Sequence, residues 1–390
     1  MLEEALEAEV EEFLGRQRYE RGQDFRGYRN GHQRPRELAI GSWSVEIRAP
    51  RVSDIPEGMP KFESKVVRKQ RRLTEETQQL FTRLYLEGLS SGDFEPVFRE
   101  LLGDKAPLSA NTILRLKESW AEEYRIWSRR PLNHARFVYV WADGVYLGAG
   151  TEKENSCLLT LLGVREDGNK ELLAMQLGFR EAKEAWADVL RDLRERGLGT
   201  PRVFVGDGNL GLWAALRDVF PSSRRQRCWN HRAMNLKDRL PRRLQDTVSG
   251  KLYELYTAPT REQCENKRDQ LTSWLRQEGC AAAGETLLRD WEDFVTFYEF
   301  PLEHWRHLRT TNPIESVFAS VRLRTNVVKR VRKRENALYL VWKIAERVRR
   351  NWRALNGGPT LMALVAAGAI FKDGVLEPWP EQPKKEVVAA

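Results

Sequence analysis

Three acidic residues stand where their surroundings allow chemistry. Asp143 follows the apolar run Phe137-Val138-Tyr139-Val140-Trp141-Ala142 and precedes Gly144; Asp207 follows Val203-Phe204-Val205-Gly206 and precedes Gly208. Both runs read as buried strands. Each carboxylate is then expected at the carboxyl end of a strand, where crevices of α/β sheets lie. Asp-Gly is also a common turn dipeptide, and either pair alone reads as a turn. The third acid is Glu315 in Thr310-Thr311-Asn312-Pro313-Ile314-Glu315, with Asn312 expected at a helix cap and Pro313 in the first turn. Clustered carboxylates repel and take up protons unless a cation lies between them. Their hard oxygens suit Mg²⁺, with Mn²⁺ as a substitute. Two such ions about 3.5–4 Å apart can activate a water or a 3′-hydroxyl and stabilise the leaving oxygen of an in-line phosphoryl displacement.

Cys228-Trp229-Asn230-His231, with His304 and His307 downstream, invites a zinc reading. The first pair ends a strand, the second lies near a helix start, and the spacing is not finger-like. No zinc is therefore expected. The expectation is that Cys228 packs and His231 hydrogen-bonds near the acids or contacts nucleic acid. Trp229 and Trp305 are candidates to stack on a displaced base, although with thirteen tryptophans in the chain core packing is expected of most.

Positioning these residues requires several elements. Residues 1–72 read as an N-terminal basic module and linker: Arg26-Gly27-Tyr28-Arg29-Asn30-Gly31, one alternating strand near 44–48, then Pro50, Pro56 and Pro60, with weak internal structure. Residues 73–130 carry helical periodicity in three segments, capped by Thr74, Ser90 or Ser91, and Ser109, compatible with a helix-turn-helix region. Residues 131–230 read as three strands, a helix, a strand, a helix and a strand, an α/β domain with a mixed sheet. Residues 231–300 read as helices only, with segments at 240–256, 261–277 and 284–298. Residues 301–357 return to the core with a basic helix, and 358–390 form a C-terminal tail.

The composition excludes several classes. The chain has 390 residues, 65 Lys+Arg against 56 Asp+Glu, and 41% hydrophobic residues, enough for a real core. No apolar run approaches the ~20 residues of a membrane span, so no membrane partner is expected. The first twelve residues hold six glutamates and no base, unlike a secretory signal. Four cysteines make no disulfide scaffold. The net charge of +9 is concentrated: residues 322–353 hold twelve Lys/Arg and two acids, leaving 53 bases against 54 acids elsewhere. Arg322, Arg324, Lys329, Arg330, Arg332, Lys333 and Arg334 open this segment. In its helical half, Ala337, Val341, Ile344, Ala345, Val348 and Trp352 recur at helical spacing while Lys343, Arg347 and Arg350 face away. A second cluster runs from Arg224 to Arg243, and a third includes Lys69, Arg71 and Arg72. With Arg26 and Arg29, these patches point to a phosphate backbone as partner.

In order along the chain, several motifs resemble those of the bacterial mutator-type insertion-sequence transposases. They are Arg-Gly-Tyr-Arg-Asn-Gly (26–31) with Ala-Pro-Arg (49–51), Leu-Tyr-Leu-Glu-Gly-Leu-Ser (84–90), Cys-Trp-Asn-His (228–231) and Thr-Thr-Asn-Pro-Ile-Glu-Ser (310–316) with Phe318, Val321 and Arg324-Thr325. The resemblance covers about 16–357. It implies a ribonuclease-H-like mixed-sheet catalytic core with a helical insertion between the second acid and the glutamate. The 107 residues between Asp207 and Glu315 agree with such an insertion. It further implies Asp143, Asp207 and Glu315 as a D-D-E triad holding two Mg²⁺, acting on double-stranded DNA at terminal inverted repeats and at a target. A homodimer or larger assembly on DNA in the bacterial cytoplasm, associated with the nucleoid, follows from chemistry at two ends. Two other classes stay open on the residues alone: a catalytically silent DNA-binding regulator, and a ribonuclease-H-like nuclease or resolvase.

Overall fold

The computed structural model of the chain describes residues 2–20, 24–40, 43–67, 75–87, 97, 99–100, 110–146, 156–318 and 334–378. They fall into two compact units, Met1–Ser119 and Trp120–Ala390.

The first unit has more regular structure than its sequence suggests. An unexpected helix, Leu2–Leu14, buries Leu6, Val10 and Leu14, which recur every fourth residue on one face. Leu6 packs with Leu38, Ile47 and Val67. Strand β1 (Tyr28–His32) pairs antiparallel with β4 (Pro50–Ser53), and β2 (Arg36–Ile40) with β3 (Trp43–Ile47). The alternating stretch near 44–48 is β3, but the Arg/Gly-rich stretch before it is β1, not an irregular segment. A further helix, Glu75–Glu87, is tied to β2 by Thr77 Oγ1, which donates to Ala39 O at 3.1 Å. The expected caps Thr74, Ser90, Ser91 and Ser109 lie outside the described residues, as does most of the middle helix of the three expected. The last of the three is the 19-residue helix Ala110–Ser128.

The second unit is built on one sheet. Strands β5 (Phe137–Tyr146), β6 (Ser156–Arg165) and β7 (Lys170–Phe179) are mutually antiparallel; β8 (Val203–Gly206) and β9 (Arg224–Arg227) continue parallel to β5, in the order β7-β6-β5-β8-β9. This is the mixed α/β arrangement expected. Helices Lys183–Glu195 and Leu210–Val219 cover one face, placing Trp186, Leu190, Leu193, Leu212 and Leu216 in a core with Val140, Leu159 and Phe204. These apolar positions fall on one stripe of each helix, which is why the helices dock flat on the sheet. Helix Arg334–Arg349 packs against β7 and buries Ala337, Val341, Ile344 and Ala345.

Between β9 and Glu315 the chain is helical: Trp229–Lys237, Arg242–Tyr256, Arg261–Gln277 and Ala281–Leu288. The periodicity predicts one helix over 284–298. The structure breaks it at Asp290, whose φ of +54° is in the left-handed region. It resumes as Glu292–Val295 and a 3₁₀ turn, Thr296–Glu299. Among the described residues no helix is long and apolar enough to cross a membrane.

Candidate active site

Parallel pairing of β5 and β8 sets Trp141 opposite Val205. Asp143 and Asp207 each follow two residues later, so the ladder itself places the two acids side by side. Their local settings differ. Asp207 lies just past the end of β8, where its Oδ1 accepts the Asn209 N–H at 2.8 Å. Asn209 in turn caps helix Leu210–Val219 by accepting from Gly211 N and Leu212 N. Gly208 has φ +99°, and a Cβ there would collide with the Arg227 guanidinium. Asp143, by contrast, does not end its strand. β5 continues to Tyr146 because Asp143, Gly144 and Val145 pair with Thr160, Leu159 and Leu158 of β6. The expected Asp-Gly turn at 143–144 is therefore absent.

Glu315 enters on the helical segment 312–318, which Ile314, Val317 and Phe318 anchor by burial. The residue preceding that segment is Thr311, one position before the expected cap. Its carbonyl accepts from Ile314 N at 3.0 Å and Glu315 N at 2.9 Å. The carboxyl of Asp143, only 9% exposed, is pushed up to about 7 by burial and by the charges of Asp207, Glu315 and Glu181, with His231 acting in the opposite sense. Asp207 and Glu315 thus both lie within electrostatic reach of Asp143.

Glu181 is a fourth acid at this site that the sequence did not suggest. It follows Arg180, whose φ is +60°, in the turn after β7. Its carboxyl fills the space where a Cβ on Gly144 would lie, 2.5 Å from its Cδ. Burial, then Asp207, raises its pKa to about 7, against hydrogen bonds with Cys157 and Asn209. Two of these carboxyls, Asp143 and Glu181, are raised toward neutrality by burial and by their acidic neighbours, while the trio of ligand atoms within 4.8 Å of one another among the described residues is Cys228, His231 and Glu315. Carboxylate oxygens are the donor chemistry that fits a hard divalent cation.

The predicted Cys-x-x-His pair meets Glu315 rather than the distant histidines. Cys228 Sγ, a His231 ring nitrogen and a Glu315 carboxylate oxygen lie within 4.8 Å of one another. Thr311 touches all three residues: Oγ1 is 3.2 Å from Cys228 Sγ, 3.5 Å from His231 Nδ1, and hydrogen-bonded to Glu315 Oε1. His231 is pushed up to about 9 by its hydrogen bond with Cys228 and by the charges of Asp207 and Asp143, against burial. His304 is elsewhere, between Tyr139 Oη at 2.9 Å and Asn356 O at 3.1 Å. Trp229 and Trp305 are both buried, donating to Phe294 O and Phe300 O. Neither presents a face for base stacking.

The basic residues separate into engaged and outlying groups. Arg29 forms ion pairs with Glu7 at 2.6 Å and Glu11 at 3.4 Å, while Arg26 is exposed. In the 224–243 cluster, Arg224, Arg225, Arg227 and Arg243 pair with Glu299, Asp293, Asp290 and Glu278. Arg232 is buried and donates to Thr286 O and Arg289 O. Four of the eight bases of that patch are thus paired with acids of the helical segment. Lys69, Arg71, Arg72, Arg322, Arg324, Lys329, Arg330, Arg332 and Lys333 lie outside the described residues, as does the side chain of Arg334.

A mixed α/β unit with carboxylates on adjacent parallel strands and a third on a distant helix narrows the class, and comparison with known proteins gives the family. The chain belongs to the Mutator family of transposases, whose model matches residues 1–354. It is 43% identical over 295 residues to the transposase for insertion sequence element IS6120 of Mycolicibacterium smegmatis, spanning 75% of this chain and 90% of that one. It is 38% identical over 277 residues to the transposase for insertion sequence element IST2 of Acidithiobacillus ferrooxidans, spanning 70% and 93%. Over 364 residues it is 29% identical to the transposase for insertion sequence element ISRM5 of Rhizobium meliloti, spanning 91% and 87%.

Proposed function

We propose that this chain is the transposase of a bacterial insertion sequence. On this reading it binds double-stranded DNA at the terminal inverted repeats of its element and at a target. It cleaves and joins strands by phosphoryl transfer at a divalent-cation site on a ribonuclease-H-like core. The observation that supports the reading is the pairing of β5 with β8, which brings Asp143 toward Asp207, together with the influence of both Asp207 and Glu315, with 107 residues between them, on the Asp143 carboxyl. The mixed sheet, antiparallel through its first three strands and parallel in its last two, supports the fold assignment.

Asp143, Asp207 and Glu315 would hold two Mg²⁺, with Mn²⁺ able to substitute. Bound there, such cations would supply activation of a water or 3′-hydroxyl and stabilisation of the leaving oxygen of an in-line displacement. The chain's own contribution is pre-organisation. Sheet pairing holds the two aspartates in register before any ligand arrives, and burial around Asp143 limits water. A protonated His231 offsets part of the negative charge. The segment 322–334 supplies cations for phosphates next to Glu315 in sequence. Action at two element ends implies a homodimer or larger assembly on DNA, placing the protein in the bacterial cytoplasm at the nucleoid.

The test is a Mg²⁺-titrated nicking assay on DNA carrying the sequences that flank this reading frame. Nicking at the element ends is expected. DNA binding with no nicking at any Mg²⁺ concentration would leave a regulator, and nicking indifferent to the element ends would indicate a nuclease or resolvase.

A further inference from the structure

All four residues of Cys228-Trp229-Asn230-His231 find partners in the four residues 309–312. Trp229 N donates to Arg309 O at 2.9 Å, and Asn230 Nδ2 donates to Asn312 Oδ1 at 3.0 Å. Thr311 N donates to Cys228 Sγ at 3.3 Å, while His231 Nδ1 lies 3.5 Å from Thr311 Oγ1. On its other side Cys228 N donates to Gly206 O at 2.8 Å, the residue before Asp207. Trp141, two residues before Asp143, donates from Nε1 to His307 O and Thr310 O, both at 3.2 Å. The helical segment therefore leaves and rejoins the sheet through a clasp that touches the elements of all three acids.

At the centre of the clasp is one hydroxyl. Thr311 is fully buried, and its Oγ1 contacts Cys228, His231 and Glu315, the three residues whose ligand atoms lie within 4.8 Å of one another. Zinc would require the sulfur about 2.3 Å and the nitrogen about 2.0–2.1 Å away, whereas the hydroxyl sits at hydrogen-bonding distances. A threonine hydroxyl has one proton and two lone pairs. Its proton is best used on the charged acceptor, the Glu315 carboxylate, which leaves its lone pairs facing Cys228 and His231. With that proton directed at Glu315, the Cys228 S–H and the His231 Nδ1–H are the donors to the hydroxyl's lone pairs.

We propose that the Cys-x-x-His pair is a positioning device for Glu315: Cys228 and His231 fix the Thr311 hydroxyl, and that hydroxyl fixes the carboxylate relative to Asp143 and Asp207. This rests on the proposed role of Glu315 as a cation ligand. It gives the pair a purpose other than zinc binding. Cys228 and His231 act through Thr311, so all three are positioning residues.

The test compares the wild-type chain with Thr311→Val, which keeps the shape and removes the hydroxyl, and with Thr311→Ser, which keeps the hydroxyl. Two readouts are taken: Mn²⁺ binding to the full chain, followed by the electron paramagnetic resonance of free Mn²⁺, and single-turnover nicking at fixed DNA occupancy. Thr311→Val is expected to weaken Mn²⁺ binding and slow nicking by about 10–100-fold, the usual cost of losing a group that orients a ligand. DNA affinity is expected to hold, and Thr311→Ser to recover most of both losses. Should Val at 311 prevent folding, Cys228→Ala is expected to move both readouts in the same direction. A wild-type chain that nicks beside a Thr311→Val chain with unchanged Mn²⁺ affinity and rate overturns the clasp alone. A wild-type chain with no metal-dependent nicking overturns the proposed function as well. Stoichiometric zinc in the purified chain, lost in Cys228→Ser, also overturns the clasp by making the pair a metal site.

Discussion

At Asp143 burial and charge act together. A carboxylate at 9% exposure beside Asp207, Glu315 and Glu181 is costly to ionise unless something positive joins it. Asp143 and Asp207 are legible in the sequence because each follows an apolar run, and Glu315 because Asn-Pro opens its segment. Glu181 is not legible there. Its place is tertiary, made by a left-handed residue after β7 and by the missing side chain of Gly144 two strands away. Glu181→Gln removes a negative charge from the cluster and is expected to weaken Mn²⁺ binding on the order of tenfold, the scale of one unit charge acting through a partly buried site. Unchanged binding in a Mn²⁺ titration would exclude Glu181 from the cation's surroundings. Gly144→Ala, whose new methyl would meet the Glu181 carboxyl, is expected to shift binding in the same direction.

Among elements, the long amphipathic and apolar stretches are readable and the short polar ones are not. Helix Arg334–Arg349 buries Ala337, Val341, Ile344 and Ala345 of the stripe its periodicity marks, while Val348 is half-buried, Trp352 lies beyond the helix, and Lys343 does not face away but pairs with Glu123. Strand β1 is Tyr-Arg-Asn-Gly-His, exposed at four of five positions, and nothing but its pairing with β4 makes it a strand. Helix Leu2–Leu14 is hard to read because its six glutamates obscure a narrow apolar face. The turn preference of Asp-Gly predicts that Asp143 ends its strand; pairing with β6 overrides that preference. The entry to the sheet is held by Arg130 and His134, which bond Glu171 of β7 at 2.8 and 3.2 Å. Burial pushes the Glu171 carboxyl up, but Arg130 and His134 outweigh it and hold it below the ordinary range. A depressed carboxyl stabilises the folded state fully above the ordinary glutamate value, about 4.3, and that contribution disappears as pH falls through the lower folded value. Glu171→Gln is expected to cost about 1–3 kcal/mol at pH 7, measured by urea unfolding. The gap to wild type should narrow in acid; a gap independent of pH would contradict the ion-pair account.

For the whole molecule, charge placement and the carboxylate site describe one activity. Half of the cationic cluster around 224–243 is paired with Asp290, Asp293, Glu299 and Glu278, a pairing no local reading could find because the partners lie tens of residues away. The excess remaining for a phosphate backbone is concentrated in 322–353. Neutralising Arg330, Arg332 and Lys333 is expected to flatten the log–log salt dependence of DNA binding by about 0.9 for each phosphate that is no longer neutralised. A slope identical to wild type would remove this segment from the interface. The central claim is that DNA cleavage depends on the carboxylates, and its most direct test is Asp207→Asn on DNA bearing the element's ends, with binding and nicking measured on the same samples in Mg²⁺. DNA affinity close to wild type with nicking abolished is the expected result. Nicking retained by Asp207→Asn at the wild-type rate would contradict it.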